Sequence, residues 1–144
     1  MRNIYLVAAI AMFALSSCGN SANEPQQPVF KSDGVADAPP SGEEIYKKTC
    51  IACHQAKGEG VVGAFPPLAA SDYLAADKER AITQVLKGSS GEITVNGKTY
   101  NNVMPPQPLN DAECAAVLTY IYCNFGNSAC TITPDEVKQV RAKI

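Results

Sequence analysis

Apolar and polar positions follow a helical period along much of the chain after residue 40. Ser41-Gly42-Glu43-Glu44 has the form of a capping box, in which the Ser and the Glu side chains each accept from a backbone N–H of the other residue. Helical spacing then links Tyr46, Thr49, Cys50 and Cys53. The pattern predicts a first helix that begins after Ser41 and gives way near His54, before the glycine-rich loop at 57–60.

Two longer apolar stripes predict two further helices, each with a start and a stop signal. The first runs from Asp77 to Lys87 and ends at Gly88. The second begins at the capping box Asn110-Asp111-Ala112-Glu113 and is closed by Gly126. The stripes consist of Ala81, Ile82, Val85 and Leu86 in the first helix, and of Cys114, Val117, Leu118, Ile121 and Phe125 in the second.

A short last helix and a β-hairpin complete the predicted elements. Thr133-Pro134-Asp135-Glu136 caps the last helix with Pro at its first position. The narrow apolar edge of this helix consists of Val137, Val140 and Ile144. Residues 93–100 contain Asn96-Gly97 between β-forming residues, the strongest short-range signal for a hairpin. The sequence therefore predicts one mainly helical domain at 41–144 with a small hairpin inserted before the Met104 loop.

The first 17 residues have the composition of an export signal. Met1-Arg2-Asn3 precedes an apolar run from Ile4 to Leu15, which is too short for an ordinary membrane-spanning helix. The following Leu15-Ser16-Ser17-Cys18 resembles the bacterial lipoprotein box, which implies cleavage before Cys18 and acylation of its sulfur. We therefore expect a lipid anchor on the periplasmic side of a bacterial membrane. The alternative is that Cys18 is an ordinary cysteine near the cleavage site.

Residues 18–40 are expected to be a lipidated cysteine followed by a flexible tether. They are rich in Asn, Gln, Ser, Ala and Pro and contain too little apolar surface to pack. A coil of this length spans roughly 25 Å root-mean-square. The formal net charge of the whole chain is −2, and loss of Arg2 with the signal leaves about −3. A mildly acidic chain without a basic stripe gives no support to nucleic-acid binding.

The most specific chemical motif is Cys50-Ile51-Ala52-Cys53-His54, the C-x-x-C-H pattern of c-type haem attachment. Each thiol adds to a vinyl group of the porphyrin, and the imidazole becomes an axial ligand of the iron. A thioredoxin-like redox pair would need a preceding strand, but the residues before Cys50 are predicted to be helical. A structural zinc site would need a fourth ligand, and His54 is the only histidine. We therefore expect one covalent haem c.

Met104 is the predicted second axial ligand. Met1 and Met12 lie in the predicted signal, so Met104 is the only methionine of the remaining chain. A bis-histidine iron is impossible with one His, whereas a His/Met iron is the arrangement of electron-transfer cytochromes. The alternative is a gap-filling methionine in the core, which usually lies on an apolar helix face and not in a proline-rich loop. The sequence therefore predicts His54 and Met104 as iron ligands.

The three remaining cysteines are Cys114, Cys123 and Cys130. Cys114 lies on the apolar face of its predicted helix, where a free Cys behaves as a small hydrophobe. A bond between Cys114 and Cys123 is disfavoured, because nine residues of helix span about 13 Å. We predict a disulfide between Cys123 and Cys130, which lie on either side of a turn in a chain expected in an oxidising compartment.

Residues 42–144 resemble the class I mono-haem cytochromes c. The motifs that carry this resemblance are Gly42-x-x-x-Tyr46, Cys50-x-x-Cys53-His54, Pro66-x-Leu68, Met104-Pro105 and Val117-x-x-Tyr120. The resemblance implies an all-α cytochrome c fold, with several helices around one covalently bound haem. It also implies that Gly42 and Tyr120 lie where the first helix crosses the C-terminal one. The Pro66 carbonyl would accept a hydrogen bond from His54, and Leu68 would pack on the haem.

Residues 65–74 and 91–101, with Thr133-Pro134, are similar to the cytochrome domains fused to some copper nitrite reductases. Related cytochromes accompany terminal oxidases. This chain departs from the fused pattern because it lacks the histidines of a copper domain and carries Cys123, Cys130 and a lipoprotein box. The resemblance therefore implies a redox partner such as a respiratory complex, a terminal oxidase or a nitrite reductase.

The predicted function is electron transfer between membrane or periplasmic partners by a monomer that is not an enzyme. One alternative is a fixed electron-transfer subunit of a respiratory complex. Another is a haem enzyme or gas sensor, which needs an open sixth site and a polar distal group, and the sequence offers no distal His. Tyr100 and Asn102 are the nearby polar candidates for contact with the haem propionates.

Overall fold

The computed structural model describes residues 40–128 and 131–144. These residues form α1 (Gly42–Thr49), α2 (Ile51–His54), α3 (Asp72–Ala76), α4 (Lys78–Lys87), β1 (Ile93–Val95), β2 (Lys98–Tyr100), α5 (Asp111–Asn124) and α6 (Pro134–Arg141). The predicted signal peptide, the lipidated Cys18 and nearly all of the tether lie outside the described residues. Cys130 does too, and with it the predicted disulfide. Within the two described ranges, no helix has the length and apolar character needed to cross a membrane.

Reciprocal capping boxes begin α1, α5 and α6, as the sequence predicts. Their pairs are Ser41 with Glu44, Asn110 with Glu113, and Thr133 with Glu136. In each pair the Glu carboxylate accepts from the N-cap backbone N–H at 2.6 to 2.9 Å. The predicted limits of α4 are also confirmed, with Asp77 at its N-cap and Gly88 at its C-cap. Loss of an N-cap side chain typically costs about 0.5–2 kcal/mol, so these residues fix where the helices start.

The predicted β-hairpin is confirmed. Its register pairs Ile93 with Tyr100, Thr94 with Thr99 and Val95 with Lys98. Asn96 and Gly97 have φ values of 50° and 73°, the positive values that a type I′ turn requires. Asn96 is also joined to Asp72 at the start of α3, because each residue's backbone N–H donates to the other's side-chain oxygen. The hairpin is therefore fastened to the helical part of the domain.

The core is centred on α5, which packs against α1, α4 and α6. At the crossing with α1, a Cβ on Gly42 would overlap the carbonyl of Ala116 and lie 2.8 Å from the Cβ of Tyr120. The predicted close approach at Gly42 is confirmed, because no larger residue fits without moving a helix. The largest fully buried side chains are Tyr46, Ile82, Val95, Val117, Leu118, Tyr122 and Val137.

Two helical features differ from the prediction. The first helix does not run unbroken to His54, because Cys50 separates α1 from α2 with φ −112° and ψ −34°. The Thr49 hydroxyl donates to the carbonyl of Ile45 at 2.8 Å, an interaction that tends to bend helices. The short helix α3, capped by Ser71, was not predicted, since five residues are too few to show a helical period.

The last helix is docked on the core through two valines, and the residues after it are exposed. Val137 and Val140 are buried in the core, whereas Ile144 lies after α6 and is 40% exposed. The predicted apolar edge is therefore right for the two valines and wrong for Ile144. Arg141 near the end of α6 donates from Nε to a carboxylate oxygen of Asp111 at 2.6 Å, which joins α6 to the first turn of α5.

Candidate functional site

The residues singled out from the sequence meet in one cavity. Its walls include Cys50, Cys53, His54, Pro66, Leu68 and Met104. Helices α2, α4 and α5, the segment 64–68 and the hairpin all contribute to these walls. None of the described residues that line the cavity is Asp, Glu, Lys or Arg. The cavity is thus a largely apolar site with sulfur and nitrogen donors in its wall.

His54 is held in a defined orientation at the end of α2. The residue is 8% exposed, and its Nδ1 lies 2.9 Å from the carbonyl oxygen of Pro66. Because a carbonyl only accepts, Nδ1 is the protonated nitrogen and Nε2 carries the lone pair. Burial lowers the pKa of His54, and the hydrogen bond to Pro66 opposes this shift only in part. The favoured form is the neutral imidazole, which is the form that binds a metal.

Cys50 and Cys53 lie one turn apart and line the same cavity. The backbone N–H groups of Cys53 and His54 both donate to the carbonyl of Cys50, at 3.2 and 2.9 Å. Burial raises the pKa of the Cys50 thiol, and its contact with the Thr49 hydroxyl opposes this shift. The short helix α2 therefore presents two thiols and an imidazole together, with the first thiol in its protonated form.

The segment that carries Pro66 and Leu68 is fixed from two directions. The carbonyl of Gly58 accepts from the N–H groups of Leu68 and of the next residue, at 2.7 and 2.9 Å. From the loop after α5, Asn127 donates to the carbonyl of Leu68 and accepts from the N–H of Ser71, both at 2.9 Å. Sequence reasoning missed Asn127, since its partners lie 59 and 56 residues away and no local pattern indicates them.

The main chain of Met104 is attached to the end of α4. Met104 and Ser89 each donate a backbone N–H to the other's carbonyl at 2.9 Å, as an isolated antiparallel bridge. Gly88 just before this bridge has φ 76°, and a Cβ there would overlap the Met104 carbonyl and lie 2.8 Å from the nitrogen of Pro106. The Met104 loop therefore packs closely against the C-terminal end of α4.

Polar side chains that the sequence did not indicate lie in the wall contributed by α3 and α4. The amide of Gln84 donates to the hydroxyl of Tyr73 at 2.9 Å, and both residues line the cavity. The guanidinium of Arg80 stacks 3.7 Å from the centre of the Tyr73 ring. Both predicted propionate candidates line the cavity: Tyr100 is buried against it, and the amide of Asn102 donates to the backbone carbonyl of Ala64.

The donor set fits a haem c. Two thiols, an imidazole with a free lone pair and a thioether line a largely apolar space, which suits a porphyrin attached at one edge. In the part of the chain that the structure describes, no three His, Cys, Asp or Glu side chains are grouped to hold a bare metal ion.

The fold and the cavity define a small haem-binding domain for electron transfer. The family profile of cytochrome c matches residues 40–122, more than half of the chain. The chain belongs to the cytochrome c family, with one covalent haem c as its cofactor, and is an electron carrier.

Relatives of two kinds are similar to the chain. Cytochrome c-552 of Thermus thermophilus is 41% identical over 120 residues, which cover 76% of this chain and 80% of that protein. The fructose dehydrogenase cytochrome subunit of Gluconobacter japonicus is 30% identical over 118 residues, or 78% of this chain and 24% of that subunit. The alcohol dehydrogenase (quinone) cytochrome c subunit of Gluconobacter oxydans is 28% identical over 104 residues, or 70% of this chain and 22% of that subunit.

Proposed function

We propose that the protein is a mono-haem electron carrier with His54 and Met104 as its two axial ligands. The thiols of Cys50 and Cys53 hold the haem at one edge. The observation that carries this proposal is the convergence of these four side chains on one cavity. The Pro66 carbonyl engages Nδ1 of His54, which leaves Nε2 for the iron. A thioether ligand raises the reduction potential relative to harder ligands, and the iron changes oxidation state with both axial positions filled.

The redox partner docks at the mouth of the cavity. Residues 60–71 and 99–110, which contribute several residues to the cavity wall, contain no Asp, Glu, Lys or Arg. Val62 and Val103 in these segments are 72% and 70% exposed. Steering by charge makes association rates fall steeply with salt. Because this surface is uncharged, the rate of electron transfer with the partner should change little between low and moderate ionic strength, as stopped-flow measurements would show.

The domain is tethered to the periplasmic side of a membrane by a lipid on Cys18. The lipoprotein box at 15–18 supports this part of the proposal, as does the tether composition of 18–40. The tether lets the domain reach a terminal oxidase, a nitrite reductase or another respiratory complex. Replacement of Cys18 by Ser should move the exported protein from the membrane fraction to the soluble fraction. An unchanged distribution would refute the anchor and leave the haem chemistry unaffected.

A second candidate is a fixed electron-transfer subunit of a larger complex. It is favoured by the likeness to the two Gluconobacter proteins, which are named as cytochrome subunits of dehydrogenases. The two functions differ in whether the domain leaves its partner between turnovers. Mild detergent extraction followed by size-exclusion chromatography distinguishes a small carrier from a subunit that migrates with a large complex.

The test of the ligand set is the visible spectrum of the haem-loaded protein without residues 1–17 and with Cys18→Ser. We expect the oxidised protein to show a weak far-red band from sulfur bound to iron. Met104→Ala should remove this band, whereas the control Val103→Ala, an exposed neighbour, should retain it. Absence of the band from the unmodified protein, or ready binding of carbon monoxide by its reduced form, would indicate an open sixth site and favour a gas-binding or enzymatic haem.

A further inference from the structure

We infer that Asn102 is a positioning residue for Met104, acting through one hydrogen bond between the loop that carries Met104 and the loop that carries Pro66, the partner of His54. This inference rests on the proposed ligation by His54 and Met104. The side-chain amide of Asn102 donates to the carbonyl oxygen of Ala64 at 2.9 Å, across 38 residues of sequence. Ala64 lies two residues before Pro66, the partner of His54, and Asn102 lies two residues before Met104.

The acceptor of this bond is rigidly held. Ala64 lies in a tight turn closed by reciprocal hydrogen bonds between Val61 and Phe65, both at 2.8 Å. The N–H of Ala64 also donates to the carbonyl of Val61 at 2.9 Å. The Asn102 side chain is therefore bonded to a turn that its own hydrogen bonds hold in place, and this turn does not move together with Met104.

The segment on the donor side has little else to hold it. Residues 101–103 connect the end of β2 to Met104, and all three are exposed. Within the described chain, these three residues make one hydrogen bond, which the side-chain amide of Asn102 donates. The next attachment is the backbone bridge between Met104 and Ser89. Loss of the Asn102 bond therefore leaves residues 101–103, which precede Met104, without a hydrogen bond to the rest of the described chain.

The expected consequence is easier detachment of the thioether from ferric iron. The bond is exposed and neutral, so we take its strength to be typical of such bonds. Its removal should then raise the ratio of detached to bound Met104 about fivefold. An external ligand that binds only the detached form gains apparent affinity by the same factor, because that affinity scales with the competent fraction. Imidazole is a suitable probe, since it replaces the thioether without a change in the oxidation state of the iron.

Asn101 provides a matched control. It is the same residue type, it is adjacent and exposed, and its side chain makes no hydrogen bond to any part of the chain that the structure describes. Asn101→Ala therefore removes an amide from this loop without breaking the hydrogen bond between Asn102 and Ala64. Asn102→Asp is a second variant with nearly the same shape, whose carboxylate cannot donate to the Ala64 carbonyl.

The experiment is a spectroscopic titration of the ferric, haem-loaded protein with imidazole. Asn102→Ala, Asn102→Asp and Asn101→Ala are each made with Met104 present and in a Met104→Ala background. With Met104 present, we expect both Asn102 variants to bind imidazole about fivefold more tightly than the parent, and Asn101→Ala to match the parent. In the Met104→Ala background the sixth site is already open, so all of these proteins should have the same affinity.

The possible outcomes separate this inference from the proposed function. If Met104→Ala alone does not increase imidazole affinity, Met104 is not the ligand, and both the ligand assignment and the role of Asn102 fail. If Met104→Ala has its effect but the Asn102 variants behave like Asn101→Ala, only the role of Asn102 is refuted. Equal effects of Asn102→Ala in both backgrounds would show that it alters access to the cavity and not the hold on Met104, which also overturns the inference. Should Asn102→Ala fail to retain haem, Asn102→Asp decides by the same criteria.

Discussion

Replacement of Gly88 by Ala should weaken the domain and its hold on Met104 more than the same change at Gly91. Both glycines lie in the connection between α4 and β1, and both have positive φ, at 76° and 92°. They differ in their surroundings. A Cβ at Gly88 would overlap the carbonyl of Met104, whereas one at Gly91 has no described atom within 4 Å. Both substitutions introduce backbone strain, and only the one at Gly88 also meets the Met104 loop.

The size of the difference follows from these contacts. An alanine forced to positive φ costs about 1–3 kcal/mol at either position. Only at Gly88 must a backbone carbonyl also move, and overpacking of this kind typically costs about 1–3 kcal/mol more. The movement also strains the two hydrogen bonds between Ser89 and Met104, each worth about 0.5–1.5 kcal/mol. We therefore expect Gly88→Ala to destabilise the protein by about 2 kcal/mol more than Gly91→Ala.

The assay is urea unfolding of the haem-loaded proteins, followed by far-ultraviolet circular dichroism, with the far-red band recorded on the same samples. Gly88→Ala should show the lower midpoint and a weakened band, and Gly91→Ala should retain the band. Equal losses of stability in the two variants would refute the reasoning, because strain alone would then account for both. An intact band in Gly88→Ala would show that the contact with the Met104 carbonyl does not position the ligand.

Three further changes test other parts of the structure. Gly42→Ala should reduce the free energy of unfolding by about 1–3 kcal/mol in urea titrations, because the added Cβ overlaps α5, and an unchanged midpoint would contradict the described helix crossing. Tyr122→Phe should cost about 1–3 kcal/mol in the same assay, since it leaves the buried carbonyl of Leu74 without the hydroxyl that donates to it at 2.8 Å. Hydrogen bonds from the backbone and side chain of Thr133 hold the pKa of Glu136 below its usual value of 4.5, so this carboxylate contributes stability above that pH and loses it as the pH falls. The melting temperature of Glu136→Gln should accordingly be lower than that of the parent at pH 7, and the gap should close as the pH falls from 4.5 through the lowered pKa of Glu136; a constant gap would refute the assignment.

Local signals in the sequence predicted most of the elements correctly. The boxes that begin at Ser41, Asn110 and Thr133 could be identified because each device is complete within four residues. The Asn96-Gly97 turn is equally local. The break at Cys50 was not predicted, because the helical period continues through it and does not indicate the hydrogen bond from the Thr49 hydroxyl to the preceding turn.

The donors of the candidate site and the Pro66 carbonyl beside His54 were predictable, whereas the other supports were not. The C-x-x-C-H motif and the single methionine of the remaining chain could be identified from composition and spacing, and the structure places them around one cavity. The amide of Asn127, by contrast, holds the carbonyl of Leu68 across 59 residues. Asn102 was considered only as a polar neighbour of the haem, but its partner lies in another loop. Such contacts depend on tertiary packing, which a single sequence does not display.

The packing of α1 against α5 has a consequence for the order of events in the life of the chain. A protein is made from its N-terminus, so α1, α2 and their two thiols exist well before α5, which supplies the opposite wall of the cavity. Contacts between segments so far apart in sequence form slowly. In the finished domain Cys50 is partly buried and its thiol pKa is raised, which disfavours the reactive thiolate. We therefore expect haem attachment to be easiest before α5 packs, while Cys50 is not yet buried, and the C-terminal helices to close the cavity afterwards.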